Sequence, residues 1–173
     1  VDSAALLDQM LSDPSGGIDA PAAILLETIQ GEGGLNAARP EWIRAVAAIA
    51  RKHGALLIID DIQAGVGRAG TFFSFENIGV MPDIVTLAKS ISGFGLPMAL
   101  VLVRPRHDVF RPAEHNGTFR GNTHAFVTAR VALEKFWKDD AFQTELAEKA
   151  LLLTSGLQAV ADKIGPSSAI FHA

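Results

Sequence analysis

The apolar positions of this chain form short continuous runs that alternate with helical patterns. Residues 22–27 (AAILLE) and 55–60 (ALLIID) are apolar runs of strand length, which are typical of parallel strands buried on both faces. Between them, residues 40–53 place apolar side chains at helical spacing, with Pro40 suited to the first helical position and Gly54 to the C-terminal cap. Strand, helix and strand in this order predict a βαβ unit with a right-handed crossover.

Two more strands and three more helices follow from the same patterns. Residues 83–88 (DIVTLA) predict a third strand and residues 97–103 (PMALVLV) a fourth. Because only a short glycine-containing turn separates these two runs, the fourth strand is expected to be antiparallel to the third. Helical spacing predicts further helices over residues 3–11, 123–137 and 140–164. The pattern therefore predicts an α/β fold with a mostly parallel sheet.

Composition and charge exclude several classes of function. Hydrophobic residues make up 49% of the chain and charged residues 20%, an ordinary globular balance. A net charge of −4 argues against a nucleic-acid partner, because phosphate binding requires clustered Lys and Arg. The apolar runs are too short for a membrane span, and the five histidines show no metal-ligand spacing. The absence of cysteine excludes disulfides and is compatible with a cytoplasmic enzyme, which we expect.

Three ionisable residues stand where predicted strands end. Glu27 ends the first run, Asp60 ends the second and Lys89 follows the third, and ligands of open α/β sheets bind outside the carboxyl ends of the strands. A lysine after a strand is ordinarily solvated, and paired aspartates ordinarily cap a turn, so no one of these positions establishes a site. Together they fit pyridoxal phosphate, because its aldehyde forms a Schiff base with a lysine and a carboxylate keeps its ring nitrogen protonated.

A nucleotide loop is a competing interpretation of the segment after the second strand. Gly65, Gly67 and Gly70 fit the dinucleotide spacing G-x-G-x-x-G. A dinucleotide motif should follow its strand directly and open a helix, whereas here DIQA intervenes and TFFSFENIGVMPD follows. Two adjacent aspartates would also repel a pyrophosphate. A dinucleotide-binding oxidoreductase is therefore the weakest alternative, and a non-catalytic piece whose apolar surfaces serve an interface is another.

Four blocks of the sequence resemble the class III aminotransferases, which are fold-type I pyridoxal-phosphate enzymes. The blocks keep the family's order and spacing, and they are residues 27–34 (ETIQGEGG), 57–76 (LIIDDIQAGVGRAGTFFSFE), 83–93 (DIVTLAKSISG) and 115–122 (HNGTFRGN). Residues 95–105 (GLPMALVLVRP) and 126–137 (FVTARVALEKFW) are most similar to members that act on diaminobutyrate in ectoine biosynthesis. Members that act on 4-aminobutyrate, ornithine or diaminobutyrate linked to siderophores share the cofactor residues and stay open as alternatives.

The resemblance implies a pyridoxal 5'-phosphate site with a role for each matching residue. Lys89 would hold the cofactor covalently and carry protons between it and the substrate α-carbon. Asp60 would pair with the ring nitrogen, Ile62 would pack on one ring face, and Gln63 would hydrogen-bond the phenolic oxygen. Glu27 would support the site from its strand end.

The resemblance also implies a substrate gate and a partner subunit. Glu32 matches the gate glutamate, which neutralises a substrate-binding arginine and moves away when a dicarboxylate arrives. Thr118 would reach the cofactor phosphate of a neighbouring subunit, which implies a homodimer with shared active sites. The substrates would be amino acids and oxo acids or semialdehydes. Two positions depart from the family pattern: Asp61 stands where Glu is usual, and Ala88 where Ser is commoner.

The resemblance places the chain within a larger enzyme. It implies a three-layer α/β sandwich in which residues 1–137 are the C-terminal part of the large domain. Residues 138–173 would be the connecting helix and the start of a small C-terminal domain. The chain begins with Val1 rather than Met, and the family's phosphate-binding turn, ring-stacking aromatic and substrate arginine are not in it. We therefore expect a fragment that is inactive alone.

Overall fold

The computed structural model describes residues 2–117 and 120–165. Its centre is a four-stranded sheet in the order β1-β2-β3-β4. The first three strands run parallel and the last pairs antiparallel with β3, as the sequence predicts. The α/β class with a mostly parallel sheet is thus confirmed. The strands are β1 (Ala23–Leu26), β2 (Leu56–Asp60), β3 (Ile84–Ala88) and β4 (Ala99–Val103).

The described helices lie where the apolar spacing predicts them, to within one or two residues. Short 3-10 turns occupy Glu76–Ile78, Lys89–Ser92 and Pro105–His107. The α-helices are α1 (Ser3–Ser12), α2 (Pro40–Lys52), α3 (Thr123–Phe136) and α4 (Ala141–Ile164). Pro40 begins α2 and Gly54, with φ +69°, follows its end, so the predicted start and stop signals are those that the helix uses.

One face of the sheet carries the core. Ile43 and Ala47 of α2 pack into a buried cluster with strand side chains of β2 and β3. Helix α1 joins this layer because its Ala4 packs against Val46 and Ile49. Burying a Leu, Ile or Val side chain stabilises a fold by about 1.5–3 kcal/mol, so this face holds the helices to the sheet. The strand members of the cluster are Leu57, Ile59, Val85 and Leu87.

The opposite face of the sheet is open in the described part of the chain. Strand register places Leu25 beside Ile58, and Thr86 between Asp60 and Val101. Leu25 is 60% exposed and Val101 59% exposed. The strands are therefore less buried on this face than on the other, although their composition predicts burial on both. Residues 2–117 and 120–165 supply the sheet and one helical layer of the sandwich.

An ionic cluster closes the amino end of the sheet. The Asp83 carboxylate accepts a hydrogen bond from the Leu57 amide at 3.0 Å, and its Oδ1 lies 3.0 Å from His107 Nε2. Arg106 donates to the same carboxylate, and Arg104 Nε donates to the Pro82 carbonyl at 2.8 Å. These contacts tie together the starts of β2 and β3 and the turn that follows β4.

Two half-buried histidines of the described residues, His53 and His107, form structural pairs of this kind. His107 bonds Asp83, and His53 Nε2 lies 2.7 Å from Asp8 Oδ1, linking α2 to α1. Within the described residues, no group of three or more His, Cys, Asp or Glu could hold a metal ion. Among those residues there is likewise no helix with the length and apolarity that crossing a membrane requires.

The predicted boundary between residues 137 and 138 falls in the break between α3 and α4. Trp137 follows α3 and packs edge-on against Phe72 at 5.0 Å and Phe142 at 5.3 Å, measured between ring centroids. The start of α4 therefore contacts the sheet domain through aromatic rings. The division into a large domain and the start of a small one stays a prediction.

Candidate active site

The carboxyl edge of the sheet brings together the three ionisable residues that the sequence singles out. Asp60 is the last residue of β2, Glu27 directly follows β1, and Lys89 directly follows β3. Because β1, β2 and β3 are adjacent and parallel, with about 4.8 Å between neighbouring strands, these residues form one row across the edge.

Asp60 keeps part of its carboxylate available at this edge. Its Oδ1 accepts a hydrogen bond from the Ile62 amide at 3.0 Å, which is the local turn that aspartate favours after a strand. Among the described residues no group donates to Oδ2. A half-buried carboxylate with one free oxygen can face a cationic N–H group of a ligand.

Asp61 has a different environment, although it is the next residue. Its side chain is fully buried and accepts hydrogen bonds from the Ser74 amide at 3.1 Å and the Ser74 hydroxyl at 2.5 Å. Ser74 Oγ also lies 2.5 Å from Thr28 Oγ1. Burial raises the pKa of Asp61, and the hydrogen bonds from Ser74 offset only part of that rise. Asp61 therefore supports the site by joining the ends of β1 and β2 to the 71–75 loop.

The loop after β1 carries two glutamates that reach the site differently. Glu27 Oε2 accepts a hydrogen bond from the Gly31 amide at 2.6 Å, which folds the loop back on its strand. Glu32 Oε1 accepts one from Gln63 Nε2 at 2.9 Å, across 31 positions of sequence. The structure thus brings the gate candidate into contact with a cofactor-binding candidate.

Lys89 has a strained backbone. Its φ is +53°, in the left-handed region, which costs a residue with a side chain about 1–2 kcal/mol. Strain of this kind concentrates at functional sites. The side chain is exposed and lines an open cavity of about 670 Å³ together with Ser90, Gly93, Gly95, Leu96, Pro97 and Met98.

The turn after Lys89 is seated against α3. A Cβ added to Gly93 would lie 2.4 Å from the Cβ of Ala132 and 3.3 Å from the Thr128 carbonyl oxygen. Gly93 also has φ +69°, so glycine is needed there both for its conformation and for space. Helix α3 thereby fixes the turn that carries the lysine.

The glycines after β2 form a tight turn and not a nucleotide loop. Gly65 donates from its amide to the Asp61 carbonyl, and Gly67 donates to the Thr71 carbonyl, both at 3.0 Å. The next helical element is the short 3-10 turn Glu76–Ile78. A dinucleotide fingerprint needs a helix amino terminus directly after its glycines, and the described residues 61–82 supply none. The dinucleotide interpretation is therefore wrong.

Thr118 and Ile62 are the two remaining site residues that the sequence predicts. Thr118 lies outside the described residues. Ile62 follows Asp60 in the turn and is half-buried, and its predicted role against a cofactor ring stays a prediction.

Sequence reasoning missed several residues of this site. Thr28, Ser74 and Gly31 act through contacts with Asp61 and Gln63 that no local pattern encodes. Thr86 is the cross-strand neighbour of Asp60, and its Oγ1 is buried with no hydrogen-bond partner among the described residues. A polar residue within an otherwise apolar strand was the signal that could have drawn attention to Thr86.

The fold is of the α/β class, and Glu27, Asp60 and Lys89 line the carboxyl edge of its parallel strands. The model of the family "Aminotransferase class-III" matches residues 11–168. The chain therefore belongs to the class III aminotransferase family, whose members use pyridoxal phosphate.

Known proteins give a consistent comparison. A diaminobutyrate–2-oxoglutarate transaminase of Vibrio cholerae is 59% identical over 157 residues, covering 91% of this chain and 38% of that protein. The acetylornithine aminotransferase structure from Elizabethkingia anophelis has a TM-score of 0.78 and 32% identity, covering 94% of this chain and 40% of that one. An ornithine aminotransferase from Toxoplasma gondii, described with partial occupancy of the cofactor at its active site, has a TM-score of 0.67 and 36% identity, covering 78% and 30%. The chain thus spans less than half the length of these relatives.

Proposed function

We propose that the protein containing this chain is a transaminase of the ectoine pathway. It interconverts L-glutamate plus L-aspartate 4-semialdehyde and 2-oxoglutarate plus L-2,4-diaminobutyrate. The observation that carries the reaction class is the placement of Asp60 and Lys89 at the carboxyl ends of neighbouring parallel strands. The similarity to diaminobutyrate–2-oxoglutarate transaminases supports the choice of substrates.

The residues at the strand edge fit pyridoxal phosphate. Lys89 is exposed at an open cavity, Asp60 has one carboxylate oxygen without a donor among the described residues, and Gln63 carries an amide that bonds Glu32. When bound, the cofactor supplies an electron sink for the carbanion that forms at the substrate α-carbon.

Each side chain has a defined task in this proposal. Lys89 Nζ holds the cofactor and moves the proton at the substrate α-carbon. The Asp60 carboxylate retains the proton on the ring nitrogen by charge-assisted hydrogen bonding, while Ile62 packs on the ring and Gln63 donates to the phenolic oxygen. Glu27 holds the 27–31 loop through the Gly31 amide.

The proposal extends to the gate, the partner subunit and the place of action. Glu32 neutralises a substrate-binding arginine and gives way to a dicarboxylate. Thr118 reaches the cofactor phosphate of a second copy, so the active enzyme is a homodimer in the cytoplasm. Residues 1–137 belong to the large domain, and residues 138–173 lead into the small one.

The reaction class is tested with the full-length protein. Bound cofactor gives a visible absorbance band that borohydride traps on a lysine, and peptide mapping should place the trapped group on Lys89. The Lys89→Ala variant should lose both the band and transamination, whereas Lys52→Ala, at an exposed lysine paired with Asp8, should keep both. A band that survives in Lys89→Ala would disprove the assignment.

The substrate is tested separately with a panel of amino acceptors. Aspartate 4-semialdehyde should be preferred over succinate semialdehyde and glutamate 5-semialdehyde, with glutamate as donor. The similarity to acetylornithine and ornithine aminotransferase structures favours an ornithine-type activity as the second candidate. Preference for glutamate 5-semialdehyde would select that candidate.

A further inference from the structure

The side-chain amide of Gln63 is held directly over Gly31. A Cβ added to Gly31 would lie 2.2 Å from Gln63 Cδ, 2.4 Å from Oε1 and 2.5 Å from Nε2. The whole amide group therefore occupies the space that a side chain at residue 31 would need. Glu27 fixes Gly31 in turn, because its Oε2 accepts the Gly31 amide hydrogen at 2.6 Å.

The Glu32 carboxylate determines which way this amide points. Gln63 Nε2 donates to Glu32 Oε1 at 2.9 Å. An ionised carboxylate can only accept hydrogen bonds, whereas an amide presents a donor on one side and an acceptor on the other. Glu32 therefore favours the orientation in which the NH2 group, and not the carbonyl oxygen, lies on its side. One of the two amide hydrogens is used by this bond, and the second, which has no acceptor among the described residues, remains for a ligand.

We propose that Glu32 is a positioning residue that acts through Gln63 on the bound cofactor. In this arrangement one hydrogen of the Gln63 amide bonds Glu32 and the other faces the phenolic oxygen. This inference rests on the proposed function, and it adds a coupling between the gate carboxylate and the cofactor ring. Without Glu32 the amide is free to turn its carbonyl oxygen toward the phenolic oxygen, where two acceptors would repel.

The rate at which the full-length holoprotein loses pyridoxal phosphate tests the coupling, with the visible band as the signal. Glu32→Gln is the sharpest change, because it keeps the size of the side chain but can donate as well as accept. It should speed cofactor loss by about three- to tenfold, the effect of one weakened hydrogen bond. Gln63→Met should have at least this effect, and adding Glu32→Gln to Gln63→Met should change nothing further.

Two further readouts separate coupling from general damage. The visible band should shift in wavelength in Glu32→Gln and in Gln63→Met, which a merely structural loss would not cause. Gly31→Ala should behave like Gln63→Met, because a Cβ there displaces the amide. The matched control is Glu41→Gln, at an exposed glutamate that pairs with Arg39, and it should leave the rate and the band unchanged.

The possible failures are distinguishable. If the wild-type band is trapped on Lys89 but the effects of Glu32→Gln and Gln63→Met multiply, Glu32 acts independently of Gln63. The coupling is then overturned while the proposed function stands. If the wild-type protein shows no band that can be trapped, both the proposed function and the coupling are wrong.

Discussion

Asp60 and Asp61 are consecutive in the chain and lie in opposite environments. Asp60 ends β2 at the site and bonds only the Ile62 amide among the described residues, whereas Asp61 is fully buried and bonds Ser74. Residues that follow one another in extended chain point to opposite sides, so a pair of acids can supply one carboxylate to a ligand and one to the interior. The two aspartates should therefore respond differently to substitution.

Substitution of Asp61 tests its internal role. Asp61→Ala leaves the Ser74 amide without its acceptor and should destabilise the full-length apoprotein by about 1–3 kcal/mol. Asp61→Asn keeps an acceptor for that amide and offers an NH2 group to Ser74 Oγ, so it should cost much less. Urea denaturation of both variants measures the difference, and equal losses would contradict the role of the hydrogen bonds.

The same residue predicts a dependence of stability on pH. Burial raises the pKa of Asp61 above its ordinary value of 3.8, despite the hydrogen bonds from Ser74. The folded state therefore binds the proton more tightly than the unfolded state. Protonation of Asp61 thus stabilises the folded state. This stabilisation is complete below pH 3.8 and is lost as the pH rises through the folded pKa of Asp61. The measurement is the difference in unfolding free energy between wild type and Asp61→Asn. This difference should change between pH 3.8 and the folded pKa of Asp61 and be constant at higher pH.

Asp83 should show the opposite sign. Burial acts to raise its pKa, but hydrogen bonds from the Leu57 amide, Arg106 and His107 outweigh burial and lower it. The ionised Asp83 carboxylate thus stabilises the folded state. This stabilisation is present above pH 3.8 and is lost as the pH falls through the folded pKa of Asp83. Asp83→Asn should cost about 1–2 kcal/mol at neutral pH and remove this acid-dependent loss. Asp19→Asn, in an exposed loop, is the control and should change neither quantity.

The positions of the site residues could be predicted from sequence, but most of their partners could not. Glu27, Asp60 and Lys89 stand out because an apolar run stops at each, and parallel strands align such ends at one edge. The bond from Gln63 to Glu32 joins segments 31 positions apart, so no local pattern contains it. The spacing of Gly65, Gly67 and Gly70 suggested a dinucleotide site because tight turns and phosphate-binding loops are both rich in glycine. The residues around the glycines separate the two, because DIQA lies between strand and glycines and no helix follows Gly70 directly among the described residues 61–82.

Two glycines near Lys89 allow strain and crowding to be separated. Gly93 and Gly95 both have positive φ, +69° and +78°, but an added Cβ meets Ala132 at 2.4 Å only at Gly93. Gly95→Ala should cost about 1 kcal/mol for its backbone alone. Gly93→Ala should cost about 1–3 kcal/mol more, because α3 must move. Urea denaturation measures both, and equal costs would show that α3 does not restrain the turn.

Displacement of the turn should also reach the lysine. Gly93 is four positions after Lys89 and closes the 3-10 turn Lys89–Ser92, so a shifted α3 moves the backbone that holds Lys89 in its left-handed conformation. We expect full-length Gly93→Ala to bind pyridoxal phosphate more weakly than Gly95→Ala, as measured by titration of the visible band. Equal affinities would mean that α3 contributes only to stability.

The 173-residue chain alone should retain the cofactor weakly. Leu25 and Val101, at 60% and 59% exposure, lie on the sheet face that carries Asp60, and the relatives contain more than twice as much chain. An apolar face left in water lowers stability and binds hydrophobic dyes, and the cavity at Lys89 is open to solvent. Dye fluorescence should be high for the isolated chain and low for the full-length protein, with cofactor bound stoichiometrically only by the latter. Tight stoichiometric binding by the isolated chain would show that the strand edge in residues 1–173 is sufficient to hold the cofactor.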